Sequence, residues 1–321
     1  MFNNIDYKLL KDSEFKISKT LIKKFKKNIP FNSKLVRWEY MLNPFGKAKI
    51  FLAMDKKKAI GIVVATPLKF LYKKKIFKGF RIQDVFTDIS YIRKQIKIGK
   101  KIQKTNKVGI FSNLILIINK YLKLKSKVNI GFANKNALPY WERNNWKGLT
   151  EFPLINKKLK KNYKFKCIYS EIKTFKSIHE KIFKKNISNS IDIFWTKEFS
   201  NWRYFLNPRS KYKVFNIEYK NNIEGYVVLK EYIEKEQRIG HICQLVCNKS
   251  LSEDVINFCM NYFFDRSFEN LSMWRINNLK FYTDKLGFTK KFVEDNKFIY
   301  MGNFLLNKSD WNLSMSYSDV Y

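Results

Sequence analysis

The stretch that decides the fold is WEYMLNP, Trp38 to Pro44, because the chain repeats it as WRYFLNP, Trp202 to Pro208. Aligned without gaps from the tryptophan, the two segments continue to match as far as Ala65 and Leu229. Twelve of these 28 aligned positions are identical, whereas chance would give only a few. The period is far longer than that of a solenoid, so the pattern indicates duplication of a whole domain.

A second, weaker repeat lies near the end of each half of the chain. NKNALPYWERNNW, Asn134 to Trp146, parallels INNLKFYTDKLGF, Ile276 to Phe288. The chain has 321 residues, of which 45% are hydrophobic, so each half can bury a core of its own. Strand-like and helix-like segments alternate in both halves. The sequence therefore predicts an α/β protein of two domains, residues 1–158 and 159–321, which meet in a lysine-dense segment.

The formal net charge of +37 has two competing explanations. A basic chain can bind nucleic acid or an anionic membrane surface. However, only nine of the 64 basic residues are arginine, the residue that nucleic-acid readers favour for bidentate contacts. Abundant Lys, Asn, Ile and Phe are typical of an AT-rich genome. We interpret most of the charge as a solvated lysine surface, part of which recruits an acidic or phosphorylated substrate. Peripheral contact with an anionic membrane stays open.

The cysteine and histidine content predicts a cytoplasmic protein without a metal centre. The four cysteines all lie in the second half and show no framework spacing, which favours free thiols in a reducing compartment. The only histidines are His179 and His241, so a zinc site would have few ligands. The longest apolar runs are far shorter than the roughly 20 residues of a membrane span.

Several short motifs follow one another in a characteristic order in the first half. The Trp-x-Tyr-x-x-Asn-Pro phrase precedes a hairpin, an Asp-x-x-Thr strand, a Gly-Ile-Phe-x-x-Leu helix start and an Asn-x-x-Ala-x-Pro segment that ends at a tryptophan. This order resembles the GNAT acyltransferase superfamily, in the tandem form found among bacterial polysaccharide-associated N-acetyltransferases. The resemblance covers most of residues 1–150. It implies two tandem GNAT-like domains, each a mixed, mostly antiparallel sheet flanked by helices.

The resemblance also implies a binding site for acetyl-CoA as co-substrate. In the family, the pantetheine lies between two splayed parallel strands, and backbone N–H groups at the start of the central helix hold the pyrophosphate. In the family, this loop has the sequence motif Arg-Gly-x-Gly. Here Gly109 matches the last glycine, Lys107 replaces the first, and Asn106 takes the place of the arginine. A helix-entry role for Gly109 is the alternative. The implied cofactor-binding residues are Thr87, Asn106, Lys107, Val108, Gly109, Ile110, Phe111 and Asn134.

The second half offers no comparable loop. Its segment KSLSEDVINF contains no glycine, and Glu253 and Asp254 would repel a pyrophosphate. We therefore expect the first domain to be the cofactor-binding copy and the second to be degenerate.

Two residues are candidates for the chemistry. Strict alternation along GFRIQDVFTDI puts Asp84 on one face with Phe80, Ile82, Phe86 and Asp88, where desolvation would make its carboxylate a better base. For Asp88 a structural role at the strand end is preferred. Tyr140 lies near the tyrosine that many family members use to protonate the CoA thiolate, with packing as the alternative. Because the repeated phrase occurs in both halves, structural roles are expected for Trp38, Tyr40, Trp202 and Tyr204.

Three functions stay open at this point. The first is an acyl-CoA-dependent N-acyltransferase that acetylates an amino sugar, often nucleotide-linked, in surface polysaccharide biosynthesis. The second is a tRNA-dependent aminoacyl transferase of the Fem type. This function would explain both the positive charge and the altered phosphate loop. The third is a non-catalytic GNAT-like scaffold. Fold alone does not decide among them.

Overall fold

The computed structural model describes residues 5–11, 33–91, 93, 109–149, 153–160, 163–187, 190–234, 237–274, 279–292 and 296–317. The strands are β1 (Ile5–Leu9), β2 (Lys49–Asp55), β3 (Lys58–Tyr72), β4 (Lys75–Thr87), β5 (Val128–Asn134), β6 (Lys147–Leu149), β7 (Pro153–Lys158), β8 (Ile168–Ile172), β9 (Asp192–Ile193), β10 (Tyr212–Tyr219), β11 (Asn222–Glu234), β12 (Gln237–Cys247), β13 (Asn270–Trp274), β14 (Thr289–Phe292) and β15 (Asn296–Gly302). The helices are α1 (Ser33–Met41), α2 (Ile110–Lys125), α3 (Leu138–Glu142), α4 (Ser177–Asn186), α5 (Lys197–Ser200), α6 (Ser252–Phe264) and α7 (Lys280–Lys285), and a π-helical turn, Asn201–Phe205, extends α5.

The first sheet has the strand order β1-β2-β3-β4-β5-β15-β6, and β9 also pairs with β3. Neighbours β1, β2 and β3 run antiparallel, whereas β4 and β5 run parallel. The parallel pairing joins Gly79–Ile82 to Val128–Gly131 and stops there, although β4 continues to Thr87 and β5 to Asn134. The two strands therefore separate towards their carboxyl ends and leave a gap in the sheet.

The second sheet repeats this plan with the order β14-β7-β13-β12-β11-β10-β8. Here β12 and β13 form the parallel pair, joined from Ile239–Ile242 to Asn270–Met273, and β12 again runs on to Cys247. Both sheets are mixed and mostly antiparallel, with helices packed against them. The predicted fold class is confirmed.

The chain forms two compact units that are not continuous in sequence. The first comprises Met1–Lys69, Phe77–Gly148 and Phe298–Leu305, and the second comprises Phe70–Ile76, Leu149–Lys297 and Leu306–Tyr321. Two pairings fit this discontinuity: β15, late in the chain, pairs in the first sheet, and Phe70 and Leu71 near the end of β3 pair with β9. The repeat predicts a boundary at residue 158 between the two duplicated halves of the sequence. This boundary stays a prediction.

The sheet of the first unit is buried on both faces. On one face, α2 buries an apolar stripe with helical spacing against Phe80 and Ile82 of β4. On the other face, α1 packs Val36 and Tyr40 against alternate residues of β2 and β3. The stripe of α2 consists of Ile110, Leu114, Ile115, Ile118 and Leu122.

The repeated phrase lies where a helix ends in both units. In the first unit α1 ends at Met41, and the side chain of Asn43 both accepts from the Phe45 N–H at 2.8 Å and donates to the Pro67 carbonyl at 3.0 Å. In the second unit Asn207 accepts from the Arg209 N–H at 2.9 Å. Asparagine followed by proline thus makes a side-chain-stabilised turn that ends the helix.

Gly240→Ala is expected to destabilise the second unit by about 1–3 kcal/mol. A Cβ at residue 240 would lie 2.4 Å from Cγ of Phe263, whose side chain is fully buried and has no room to move. The control is Gly109→Ala, because a Cβ there would meet nothing within 4 Å. Urea denaturation measures both variants. Equal midpoints for the two would contradict the packing argument.

Candidate active site

The gap between β4 and β5 lies beside the start of α2. A Cβ on Gly61 of β3 would lie 3.1 Å from Cγ2 of Ile110, which places the first turn of α2 directly on the sheet. The ring of Phe111 makes edge-to-face contacts with Tyr140 at 5.5 Å and Trp141 at 6.2 Å, between ring centroids. Both partners belong to α3, which follows β5. The helix start, the end of β5 and α3 are therefore neighbours.

The N-terminus of α2 has the features of an anion site. Gly109 is the N-cap residue and offers no side chain, and the first turn contains no acidic residue. The first N–H groups of a helix have no partner within the helix, and the helix dipole makes this end positive. Gly109 is exposed, with open space where a Cβ would stand. A phosphate group could thus approach the backbone amides closely.

Besides Gly109 and Phe111, the predicted cofactor residues divide into three groups. Asn106, Lys107 and Val108 lie outside the described residues. Ile110 has a buried side chain in the core, so only its backbone N–H faces the helix end. Asn134 accepts from the Ala137 N–H at 2.9 Å and thereby shapes the turn into α3, while Thr87 is half-buried at the end of β4.

Asp84 lies at an irregularity in β4. Its φ is 50°, a left-handed conformation that is uncommon for a residue with a side chain but is adopted more readily by Asp and Asn. The side chains of Gln83 and Asp84 both contact α1: Gln83 donates to Glu39 at 2.9 Å, and the carboxylate of Asp84 accepts from the Tyr40 hydroxyl. Two successive side chains of β4 therefore lie on the same face of the sheet, which is the geometry of a β-bulge.

The bulge overturns the predicted alternation along β4. Phe80 and Ile82 do pack against α2, but Phe86 packs against the α1 cluster, and Val85 has taken the α2 side. The predicted common face for residues 80 to 88 is therefore wrong beyond Ile82, because one extra residue shifts the phase of the strand. Asp88 is buried and accepts from the Tyr91 N–H at 3.0 Å, which fits its predicted structural role.

Tyr40 is the residue of this site that the sequence did not predict. Its ring is fully buried in the α1 cluster, and its hydroxyl donates to Asp84. The residue type alone could have indicated such a contact, because the hydroxyl of a buried tyrosine usually has a hydrogen-bond partner. The structural role predicted for Tyr40 is thus accompanied by a contact with the candidate base.

Tyr140, the second catalytic candidate, is 44% exposed. Its ring lies against Phe111 on one side, and the guanidinium of Arg143 lies 5.8 Å from the ring centroid. Its ring thus packs against the first turn of α2, whereas Asp84 contacts α1 on the opposite face of the sheet. The two candidates flank the separated part of β4 and β5 from different sides.

The corresponding region of the second unit is built differently. The hydroxyl of Tyr204 lies 2.7 Å from Oε1 of Gln244 and 2.7 Å from Oγ of Ser316, so no carboxylate takes the place of Asp84. The first turn of α6 carries two acidic residues. One of them, Asp254, accepts from the Cys167 N–H at 3.0 Å and from the Tyr169 hydroxyl at 2.8 Å. An anion would be repelled from this helix end.

Three further features concern metal ions, membrane spans and cysteines. Within the described ranges, no group of three or more potential ligands is placed to hold a metal ion. None of the helices seen in the described part of the chain has the length and apolar character needed to cross a membrane. All four cysteines are free thiols.

Comparison with known proteins gives the fold. No family model and no curated protein matches the sequence. A conserved protein of unknown function and probable N-acyltransferase from Enterococcus faecalis superposes with a TM-score of 0.67 at 11% identity, over 92% of this chain and 72% of that one. A GCN5-related N-acetyltransferase from Anabaena variabilis gives 0.66 at 8% identity, over 93% and 73% of the two chains.

A third solved structure is similar over nearly all of this chain. N-myristoyltransferase from Saccharomyces cerevisiae, determined with bound myristoyl-CoA and inhibitors, gives a TM-score of 0.54 at 10% identity, over 98% of this chain and 85% of that one. Identities this low establish a shared fold and nothing finer. The chain has the GNAT-type fold of these acyltransferases over most of its length.

Proposed function

We propose that the chain is an acyl-CoA-dependent N-acyltransferase whose cofactor site lies in the first unit. The observation that carries the proposal is the open, acid-free N-terminus of α2 beside the separated ends of β4 and β5. The second unit has acidic residues at the matching helix end and a neutral amide at the matching strand position, so we assign it no cofactor. The similarity in fold to an N-acetyltransferase, an N-myristoyltransferase and a probable N-acyltransferase supports the same function.

The reaction that these residues suit is transfer of an acyl group from a CoA thioester to an amine. The thioester supplies an activated carbonyl. Asp84 takes the proton from the amine as the new C–N bond forms, and the hydroxyl of Tyr140 gives a proton to the sulfur as the C–S bond breaks. The products are an amide and CoA with a free thiol, so the proton balance closes when Asp84 returns its proton and Tyr140 regains one from solvent.

The acceptor we propose is the amino group of a sugar, in surface polysaccharide biosynthesis, and acetyl-CoA is the proposed donor. The net charge of +37 favours an acceptor that carries phosphate, such as a nucleotide-linked amino sugar. A cytoplasmic location follows from such substrates and belongs to the same proposal.

Gly109→Asp is expected to weaken acetyl-CoA binding at least 10-fold, which isothermal titration calorimetry measures directly. Aspartate is a favoured N-cap residue, so the fold and α2 are preserved, but its carboxylate takes the place of the pyrophosphate at the helix end. The matched control is Gly109→Asn, which caps the helix with a side chain of the same size without charge.

Wild-type protein is expected to bind acetyl-CoA saturably and Gly109→Asn to bind it more tightly than Gly109→Asp. Bulk tRNA at physiological salt forms the second arm of the titration. Saturable tRNA binding without acetyl-CoA binding would replace the proposal with the tRNA-dependent alternative. Binding of neither would leave a non-catalytic scaffold.

A further inference from the structure

The contact between Tyr40 and Asp84 is held in place by the elements on both sides of it. Tyr40 is fully buried among the apolar residues of α1, β2 and β3, so its ring has one position. Asp84 is half-buried in the bulge of β4. The hydroxyl donates to Oδ2 of the carboxylate, which restricts the orientations that the carboxylate can take.

A second polar contact anchors α1 to β4 beside this pair. Gln83 donates to Oε1 of Glu39 at 2.9 Å, and the guanidinium of Arg81 lies 3.6 Å from the same oxygen. Arg81 also donates to Oε1 of Gln83 at 2.7 Å. Glu39 and Arg81 are 7% and 8% exposed. This network fixes the backbone before the bulge without using the hydroxyl of Tyr40, so loss of that hydroxyl would leave the helix anchored.

The second copy of the phrase makes it possible to distinguish the structural role of this tyrosine from its effect on a carboxylate. Tyr204 has the same place in the second copy of the phrase and is buried to the same degree. Its hydroxyl contacts Gln244, which is neutral at every pH, and Ser316. Removing either hydroxyl costs a buried hydrogen bond, but only Tyr40 touches a group that takes and releases protons.

We propose that Tyr40 is a positioning residue for Asp84 and orients its carboxylate towards the acceptor amine. This inference rests on the proposed function and names a residue that the motif resemblance did not assign to the chemistry. Tyr40 itself does not touch the substrate. It acts by donating to the carboxylate, which holds that group in one orientation.

The first test does not depend on activity. The carbon-13 signal of the Asp84 carboxyl is recorded by NMR at one neutral pH and is assigned as the signal that Asp84→Asn lacks. In Tyr40→Phe this signal is expected to move, because the carboxylate has lost the hydroxyl that donates to it. In Tyr204→Phe the signal is expected to stay where it is in the wild type. The same chemical shift in all three proteins would overturn the proposal.

The second test is kinetic and uses release of the CoA thiol from acetyl-CoA with a panel of amino sugars. Tyr40→Phe is expected to lower kcat about 10- to 100-fold and to leave KM for acetyl-CoA unchanged. In an Asp84→Asn background, Tyr40→Phe is expected to cause no further loss, because the group it positions no longer accepts a proton.

The two tests distinguish this proposal from the proposed function. If Tyr40→Phe and Tyr204→Phe lower kcat and the melting temperature equally, Tyr40 is only structural and the proposal fails while the enzyme remains. If the wild type neither binds acetyl-CoA nor releases its thiol, the proposed function fails, and the NMR comparison still decides whether Tyr40 positions Asp84.

Discussion

Asp84→Asn is expected to lower kcat for acyl transfer about 100- to 1,000-fold, the usual contribution of a general base. Asparagine has the size of aspartate, accepts the hydroxyl of Tyr40 through its carbonyl oxygen, and tolerates the φ of 50° found at this position. The variant therefore keeps the bulge and loses only the ability to take a proton. Release of CoA thiol in the presence of amino-sugar acceptors measures the effect.

The matched control is Asp88→Asn, at the end of the same strand. Asp88 accepts from the backbone N–H of Tyr91, and asparagine retains that acceptor. We expect its kcat to stay within about twofold of the wild type, and acetyl-CoA affinity to be unchanged in both variants. Equal loss of kcat in the two variants, or none in Asp84→Asn, would assign the proton transfer to another group.

The repeat in the sequence predicted the architecture because it is a property of whole domains. Two copies of one phrase required two sheets of similar plan, and each sheet indeed contains one parallel pair of strands, β4 with β5 in the first and β12 with β13 in the second. The places of β7 and β15 were beyond prediction. PLINKK and NKFIYMG have ordinary strand composition, and strand composition carries no information about which sheet a strand joins.

Local sequence patterns predicted individual residues of the site but not the contacts between them. Gly109 and Asp84 came from motif order, and the structure puts one at an open helix end and the other in a bulge. The alternation of apolar and polar residues in GFRIQDVFTDI is broken at the bulge, where the polar Gln83 and Asp84 are followed by the apolar Val85 and Phe86. Counting every second residue through this break assigned Asp84 to the face of Phe80 and Ile82, although its partner Tyr40 lies on α1.

Asp192→Asn is expected to make the stability of the second unit rise with pH between about pH 5 and 6, where the wild type is nearly flat. Asp192 is 3% exposed and accepts from the Tyr317 hydroxyl at 2.6 Å and from Nδ2 of Asn312 at 2.7 Å. Burial raises the pKa of its carboxyl to about 7, in spite of these hydrogen bonds, which lower it.

The raised pKa of Asp192 makes its contribution to stability fall as pH rises. An aspartate in the unfolded chain has a pKa of about 3.9. Between about pH 4 and 7 the folded chain holds a proton that the unfolded chain has lost, so folding is favoured by acid. The contribution is full below pH 4 and is lost as pH rises through the folded-state pKa of about 7.

His241 in the same unit contributes with the opposite sign. It is 3% exposed, and its Nδ1 lies 2.6 Å from Oγ of Ser272. Burial, and then the positive charge of Lys230, lower the pKa of His241 to about 3. The unfolded histidine titrates at about 6.5, so between about pH 3 and 6.5 the unfolded chain holds the extra proton. This contribution is full above pH 6.5 and is lost as pH falls.

Between about pH 5 and 6 these two contributions have slopes of about 1.4 kcal/mol per pH unit and opposite sign, so they cancel in the wild type. Asp192→Asn leaves the histidine slope, and the free energy of unfolding then rises with pH. His241→Gln leaves the aspartate slope, and the free energy then falls. Urea denaturation at several pH values measures the slopes, and a constant offset between variants does not affect them. Parallel curves for the three proteins would show that neither group changes its proton affinity on folding.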